Sequence, residues 1–420
     1  MKKCICLLIC LCMLFAAGCG SAFSAEYYFS EPYRESVSIG DGSETEVRNA
    51  NTLKNAIMRL VYEGESHGQF RFGSYTGSLI DDIAAVCLEI KTATPIGAYA
   101  VENISYDTSR IVSYYTADIT IEYKKTADEI AAVKNVNGLG ELGEHIRSVM
   151  ESYGAETVVK IYSSAANEEY IRSFVADTYY SDPFLMAVEP EVTVTAYPEA
   201  GPDRIYVIDF RYAAMPERLR EMDSLVDMRA GELAESLGQD DELSLAMRCA
   251  MQLAAMVESV ESESQWAGTA YGCLVEGSSD PFGLAMGYKA ICDRLGIECV
   301  VVRGERNADG VVSHAWNIIN IDGSYYHADV SRFAAEPAKA FLQSDEDFWG
   351  EYDWDRDAYP ECGGELEPED IFGQPEVPKK EPNTGEDVND NPVESPDASE
   401  PPEIPQETPP AEPEASAPVE

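Results

Sequence analysis

The sequence predicts an α+β fold: a mixed α+β N-terminal region, then a C-terminal domain in which one helix packs on an antiparallel sheet. Three observations predict it. In GLAMGYKAICDRLGIEC (283–299), Leu284, Tyr288, Ile291 and Leu295 recur at spacings of four, three and four, one face of a helix. Gly296 stands where a left-handed glycine would end that helix. Behind it, IECVVVR, VVSHAWNII and SYYHADV read as three strands, the last two joined by a turn at Asp322-Gly323. Upstream, helix-like and strand-like stretches alternate.

From the front, MKKCICLLICLCMLFAAGC has two lysines, an apolar run and small residues before Cys19, the layout of an export signal over residues 1–19. Ala16-Ala17-Gly18-Cys19 is similar to the bacterial lipobox, which implies a lipid on Cys19 and attachment to the cell membrane. Simple cleavage after Ala22, Ser24 or Ala25 is the alternative. No second apolar run is long enough to cross a bilayer.

The N-terminal region, residues 26–214, opens with a helix over 51–62, where Leu53, Ile57 and Leu60 keep helical spacing. A strand is expected over 111–123, IVSYYTADITIEY, rich in β-branched and aromatic residues. Helix-like stretches (141–153, 167–177) then alternate with strand-like ones (157–162, 190–196, 204–211). His67 and His145 sit alone, as packed or solvated histidines. Two helices follow over 215–260, broken near Gly238-Gln239-Asp240. In the second, Leu245, Cys249, Leu253, Met256 and Val260 form an apolar stripe that reads as core. The C-terminal domain spans 240–372. Its residues 268–277 read as a strand-like approach ending in Glu276-Gly277, with a helix beginning near Asp280-Pro281. No internal repeat shows at any fixed period.

Composition narrows the function. The formal charge of −46 leaves no basic patch to neutralise phosphates, which argues against nucleic acid as a partner. Residues 376–420 repeat a Glu/Pro pattern too poor in apolar side chains to offset ordering entropy, so a disordered tail is expected. Beyond the export signal the cysteines are Cys87, Cys249, Cys273, Cys292, Cys299 and Cys362, with no CxxC pair and no ligand-like spacing to histidine. No metal and no cofactor is expected. One or two disulfides are allowed.

Strand alternation sets His314, Trp316 and Ile318 on one face, and Tyr325, His327 and Asp329 on one face of the next strand. An even loop puts His314 and Asp329 opposite or one diagonal apart. Trp316 reads as core and His327 as a local hydrogen-bonding partner. An imidazole oriented by a carboxylate beside a helix N-terminus is two thirds of a thiol-activating site.

This stretch resembles the transglutaminase-like superfamily of papain-like cysteine enzymes. The resemblance lies in Tyr271-Gly272-Cys273-Leu274-Val275-Glu276-Gly277, Leu295-Gly296-Ile297-Glu298-Cys299, His314-Ala315-Trp316-Asn317 and Ile321-Asp322-Gly323-Ser324-Tyr325-Tyr326-His327-Ala328-Asp329-Val330. It covers roughly residues 240–365, closing with FLQSDEDFWGEYDWDRDAYPEC. It implies a catalytic histidine at His314 and an aspartate at Asp329. The family's nucleophilic cysteine, counted from Glu276-Gly277, falls on Pro281. Cys273 precedes the helix, Cys292 lies too far inside it, and Ser278 and Ser279 are expected to point elsewhere. Asp280 suits an N-cap and Pro281 a first helical position. The expected function is an exported, lipid-anchored envelope protein whose domain binds a peptide or cell-wall component in the old substrate cleft without catalysis. The alternatives are an active transglutaminase or cysteine protease with another nucleophile, and a purely structural envelope protein.

Overall fold

The computed structural model describes residues 44–257, 264–307, 310–366 and 371. Described residues up to Gln374 belong to one compact unit. The tail expected over 376–420, the export signal and Val260 of the apolar stripe lie outside the described residues.

The chain opens β1 (Glu44–Glu46), α1 (Ala50–Glu63), β2 (His67–Phe72), α2 (Leu79–Ala93), α3 (Pro95–Ala100), β3 (Val101–Ile111) and β4 (Tyr114–Tyr123). Asn49 caps α1 by accepting from Thr52 N, and Gly64 ends it at φ 68°. After α4 (Ala127–Ala131) come β5 (Lys134–Val136), α5 (Leu139–Glu151), β6 (Glu156–Tyr162), α6 (Glu168–Ser181), β7 (Glu191–Tyr197) and β8 (Asp203–Arg211). The two sheets have the same order, β1-β2-β4-β3 and β5-β6-β8-β7. In each, the first pair is parallel and the others antiparallel.

This is an internal repeat, contrary to the sequence expectation. A shift of 89 positions carries Val47 onto Val136, Leu53 onto Leu142, Ile57 onto Ile146, Val61 onto Met150, Phe70 onto Val159 and Ile119 onto Ile208, and all twelve are buried. Four of these six pairs keep the same residue, and Val61/Met150 and Phe70/Val159 exchange one apolar side chain for another, because a core requires apolar volume rather than identity. One other expectation changes here. The strand expected over 111–123 is β4 plus the turn before it. The edge strand β3 is mostly exposed, so its polar run VENISYDTSRI carries no clean alternation.

The repeats stack through opposite faces. Ile205 is fully buried in the first repeat's core, with Val158 and Val207 packed beside it. The positions matching Val158, Ile205 and Val207 in the first repeat are Gln69, Thr116 and Asp118, at least partly exposed. The same sheet face is apolar where covered and polar where it meets water, as stacked units require of a terminal member.

The C-terminal part begins with α7 (Pro216–Leu237) and α8 (Glu242–Met256), broken near Gly238 as expected. Next come α9 (Pro281–Leu295), β9 (Cys299–Asn307), β10 (Val311–Ile321), β11 (Ser324–Ala328) and the short helices α10 (Val330–Phe333) and α11 (Pro337–Ala340). The chain continues with β12 (Phe341–Gln343), α12 (Asp345–Phe348) and β13 (Tyr352–Asp353). Five strands form an antiparallel sheet, β12-β11-β10-β9-β13. The β10–β11 turn has Asp322 at φ 50° and Gly323 at φ 88°, matching the twist of a two-residue hairpin. Helix α9 packs on this sheet. Rather than one apolar face, every residue from Gly283 to Cys292 is buried. Helices α7 and α8 and the second repeat enclose it, and one core runs from Val136 to Leu342.

Candidate functional site

Helix α9 starts as the sequence requires. Asp280 accepts from Gly283 N at 3.0 Å, and Pro281 takes the first helical position. The approach to it is not a strand. Residues Gly272–Glu276 form a π-helical turn closed by Gly277 at φ 68°. A Cβ on Gly272 would meet the Trp266 carbonyl oxygen at 2.2 Å, so only glycine allows that coil. A short, fully buried apolar run carries no period to distinguish helix from strand.

The described cysteines and Ser279 are all buried away from the role of a nucleophile at Pro281. Cys273 is buried against Gly287, and burial pushes its thiol up to about 12. Burial likewise raises Cys292 and Cys299 well above the ordinary range. Ser279 is buried, its hydroxyl 3.0 Å from the carbonyls of Ala267 and Asp280. All six described cysteines are buried free thiols, so the disulfides allowed by the sequence do not form among them.

His314 and Asp329 do meet. The β10–β11 ladder pairs Asn317 with Ala328 and Ile318 with His327, which sets His314 and Asp329 one diagonal apart. The His314 Nε2–Asp329 Oδ2 separation is 2.8 Å, with both side chains buried. Tyr352 also donates to Oδ2, at 2.7 Å, and Ser331 donates its N–H and hydroxyl to Oδ1. Burial alone would push the Asp329 carboxyl up. The His314 hydrogen bond, supported by Ser331 and Tyr352, outweighs it and holds the group below its ordinary value. Arg332 donates to the Tyr352 hydroxyl at 2.9 Å and pairs with Glu336 and Glu351. Sequence reasoning missed Tyr352 and Arg332, since no spacing ties them to His314.

The bonding face is also informative. Ala315 and Ile319 share the core of α9, and Asn317 donates to Ala285 O at 3.0 Å. His314 lies on the alternate face with Trp316, its ring 5.9 Å from that of Tyr352. The side chain that ties β10 to α9 is therefore Asn317, not His314.

On that outer face His327, Asp345 and Cys362 bring three ligand-type atoms within 4.8 Å of one another. Their chemistry opposes a metal. Trp316 Nε1, which can only donate, lies 2.9 Å from His327 Nδ1. In the neutral ring the proton is therefore on Nε2, which donates to Asp345 Oδ1 at 2.8 Å and has no lone pair for a cation.

A cavity of about 320 Å³ lies beside the start of α9. Tyr179, Tyr180 and Glu189 of the second repeat line one side; Thr269, Asp280 and Phe282 line the other. Tyr180 and Phe282 rings are 6.3 Å apart, and the Arg303 guanidinium lies 4.9 Å over Tyr180 while pairing with Asp177. Burial raises the Glu189 carboxyl above its ordinary value, opposed by Tyr180 and Arg303. Nearly half of this cavity's lining comes from residues more than eighty positions upstream of α9, and no motif in the sequence announces them.

No family model matches the chain, and no curated protein matches it. Among solved structures it is similar to a protein described as a TGase (13% identity over 51% of this chain and 61% of that one, TM-score 0.24). It is also similar to a protein from Cytophaga hutchinsonii provisionally described as a cysteine protease (12%, 34% and 62%, TM-score 0.24). A third is menin, described with its binding site for Mixed Lineage Leukemia protein (16%, 27% and 26%, TM-score 0.20). The chain spans less than two thirds of each. Such partial likeness says nothing of activity.

Proposed function

We propose that this is an exported, lipid-anchored protein of the cell envelope whose transglutaminase-like C-terminal part binds a ligand without transforming it. The observation that carries the reading is Pro281, at the helix start where the family motif expects a thiol. Proline has no ionisable group for His314 to activate. The ligand is a peptide or cell-wall component held in the cavity beside α9, whose volume of about 320 Å³ suits a side chain or a short segment. The anchor is Cys19: Cys19→Ala should move the protein from the membrane fraction to the medium, and an unchanged distribution counts against lipidation.

Catalysis is tested directly. The wild-type chain should neither crosslink glutamine to amines nor cleave peptides. Pro281→Cys should restore a thiol at the helix start. If the imidazole is within reach, that thiol alkylates fast at neutral pH and slows with His314→Ala. If it stays inert, the His314–Asp329 pair is structural. The intact 2.8 Å pair favours a second reading, an active enzyme with another nucleophile. Wild-type turnover abolished by His314→Ala would establish that reading instead.

A further inference from the structure

The hairpin joining β3 and β4 turns at Val112-Ser113. Val112 is 97% exposed, and Ile111 and Tyr115 are 42% and 41% exposed. Two cations stand on the adjoining aromatic rings: Arg71 lies 4.2 Å over Tyr114, and Arg110 lies 5.8 Å over Tyr115. In a chain of net charge −46, residues 108–116 (TSRIVSYYT) contain no carboxylate. Asp107 and Asp118 border that run in β3 and β4, paired with each other in register, and Glu46 is paired in register with Arg71, 3.9 Å from Arg48.

The fold does not require this composition. In the second repeat the corresponding connection, between β7 and β8, is Pro198-Glu199-Ala200-Gly201-Pro202, with one acid and no large apolar side chain. Both loops close the same hairpin. Only one presents a bare Ile-Val pair beside arginine-backed tyrosines.

We infer that the β3–β4 tip is a membrane-contact site that seats Ile111 and Val112 at the headgroup–acyl boundary of an anionic bilayer. Tyr114 and Tyr115 lie at the interface, where an apolar ring with a polar tip is at home. Arg71 and Arg110 meet lipid phosphates while their stems lie along apolar surface. The acidic body does not prevent this, because at physiological salt the Debye length is about 8 Å and the charges nearest the lipid dominate. A protein partner or a second copy would not need arginines turned outward around so small an apolar tip; a phosphate-bearing surface uses both.

The test uses the full chain with Val112→Trp, added to phosphatidylglycerol vesicles. Substitution at a site this exposed does not disturb the core. The emission of the added tryptophan, read as the difference from the same chain without the substitution, which carries Trp266, Trp316, Trp349 and Trp354, should shift to the blue, and brominated phosphatidylglycerol should quench that difference roughly twofold or more. Adding Arg110→Glu, or using phosphatidylcholine vesicles, should remove most of that quenching. Emission that stays water-like, or quenching indifferent to Arg110→Glu, overturns the site. A blue shift without lipid that grows with protein concentration overturns it too, and assigns the tip to a second copy. Because the probe sits on the tip, its failure is separable from failure of the Cys19 anchor, which fractionation of Cys19→Ala reads independently.

Discussion

Trp316 can only donate through Nε1, and that fact fixes where the proton sits on His327. The ring accepts at Nδ1, donates at Nε2 to Asp345, stacks 4.7 Å from Phe348 and is fully buried. Burial lowers its pKa to about 4, partly offset by Asp345. Because the folded value lies below the ordinary value near 6.5, the unfolded chain binds the proton first. Stability from this residue is therefore complete above about pH 6.5 and is lost as pH falls toward 4, by roughly 3 kcal/mol. Glu189 and Asp223, raised by burial, act in the opposite direction, so the comparison must be made against a variant. Midpoints measured from pH 7 to 4.5 should fall more steeply for the wild type than for His327→Gln. Equal slopes would mean the buried ring does not control acid sensitivity. The His314–Asp329 pair was legible in the sequence because strand alternation and a two-residue turn set it. The tautomer of His327 was not, since it depends on a tryptophan that alternation places only nearby.

Helix α9 shows how packing overrides propensity. Alanine at an exposed helix position is better than glycine by about 1 kcal/mol. At Gly283 a Cβ would lie 2.1 Å from the Ala267 carbonyl oxygen and 2.4 Å from Ser279 Oγ. The carbonyl is backbone and cannot yield cheaply, so the clash wins. Gly283→Ala should lower stability by roughly 2 kcal/mol or more, measured by urea unfolding. A neutral result would show that the segment before α9 is free to move. Both ends of α9 were legible, from Asp280-Pro281 and Gly296, because caps are local chemistry. Its burial on all sides was not, because that depends on what three other elements bring to it. The β3–β4 turn escaped for a related reason: Val112-Ser113 has no Gly, Pro, Asn or Asp, only a single serine within a β-branched and aromatic run.

The duplicated unit makes a paired test available for the whole molecule. Ile205 and Thr116 occupy the same place in the two repeats, one inside the interface and one outside it. Ile205→Ala should cost about 2–4 kcal/mol, since it empties a fully buried position. Thr116→Ala should stay within about 0.5 kcal/mol. Equal costs would contradict the stacking. Removal of residues 376–420 should leave the thermal midpoint almost unchanged, because their composition offers little apolar area to bury. A large fall would show that the tail packs.

What the sequence determined by itself is local or periodic. It specified about half of the helices and strands, the α9 caps, the Asp322-Gly323 hairpin and, through alternation, the meeting of His314 with Asp329. Each follows from chemistry within a few residues, or from a period of 2 or 3.6. Tertiary structure alone decided the rest. The repeat is inconspicuous because identity is kept at only scattered core positions such as Leu53/Leu142 and Ile57/Ile146, while elsewhere volume and polarity alone are constrained and residues diverge. The cavity draws Tyr180 and Glu189 from one repeat and Asp280 and Phe282 from another part of the chain, a juxtaposition that no local pattern encodes. The coil at Gly272 was decided by a carbonyl six residues upstream folding back against it, a contact that exists only once the chain has closed on itself.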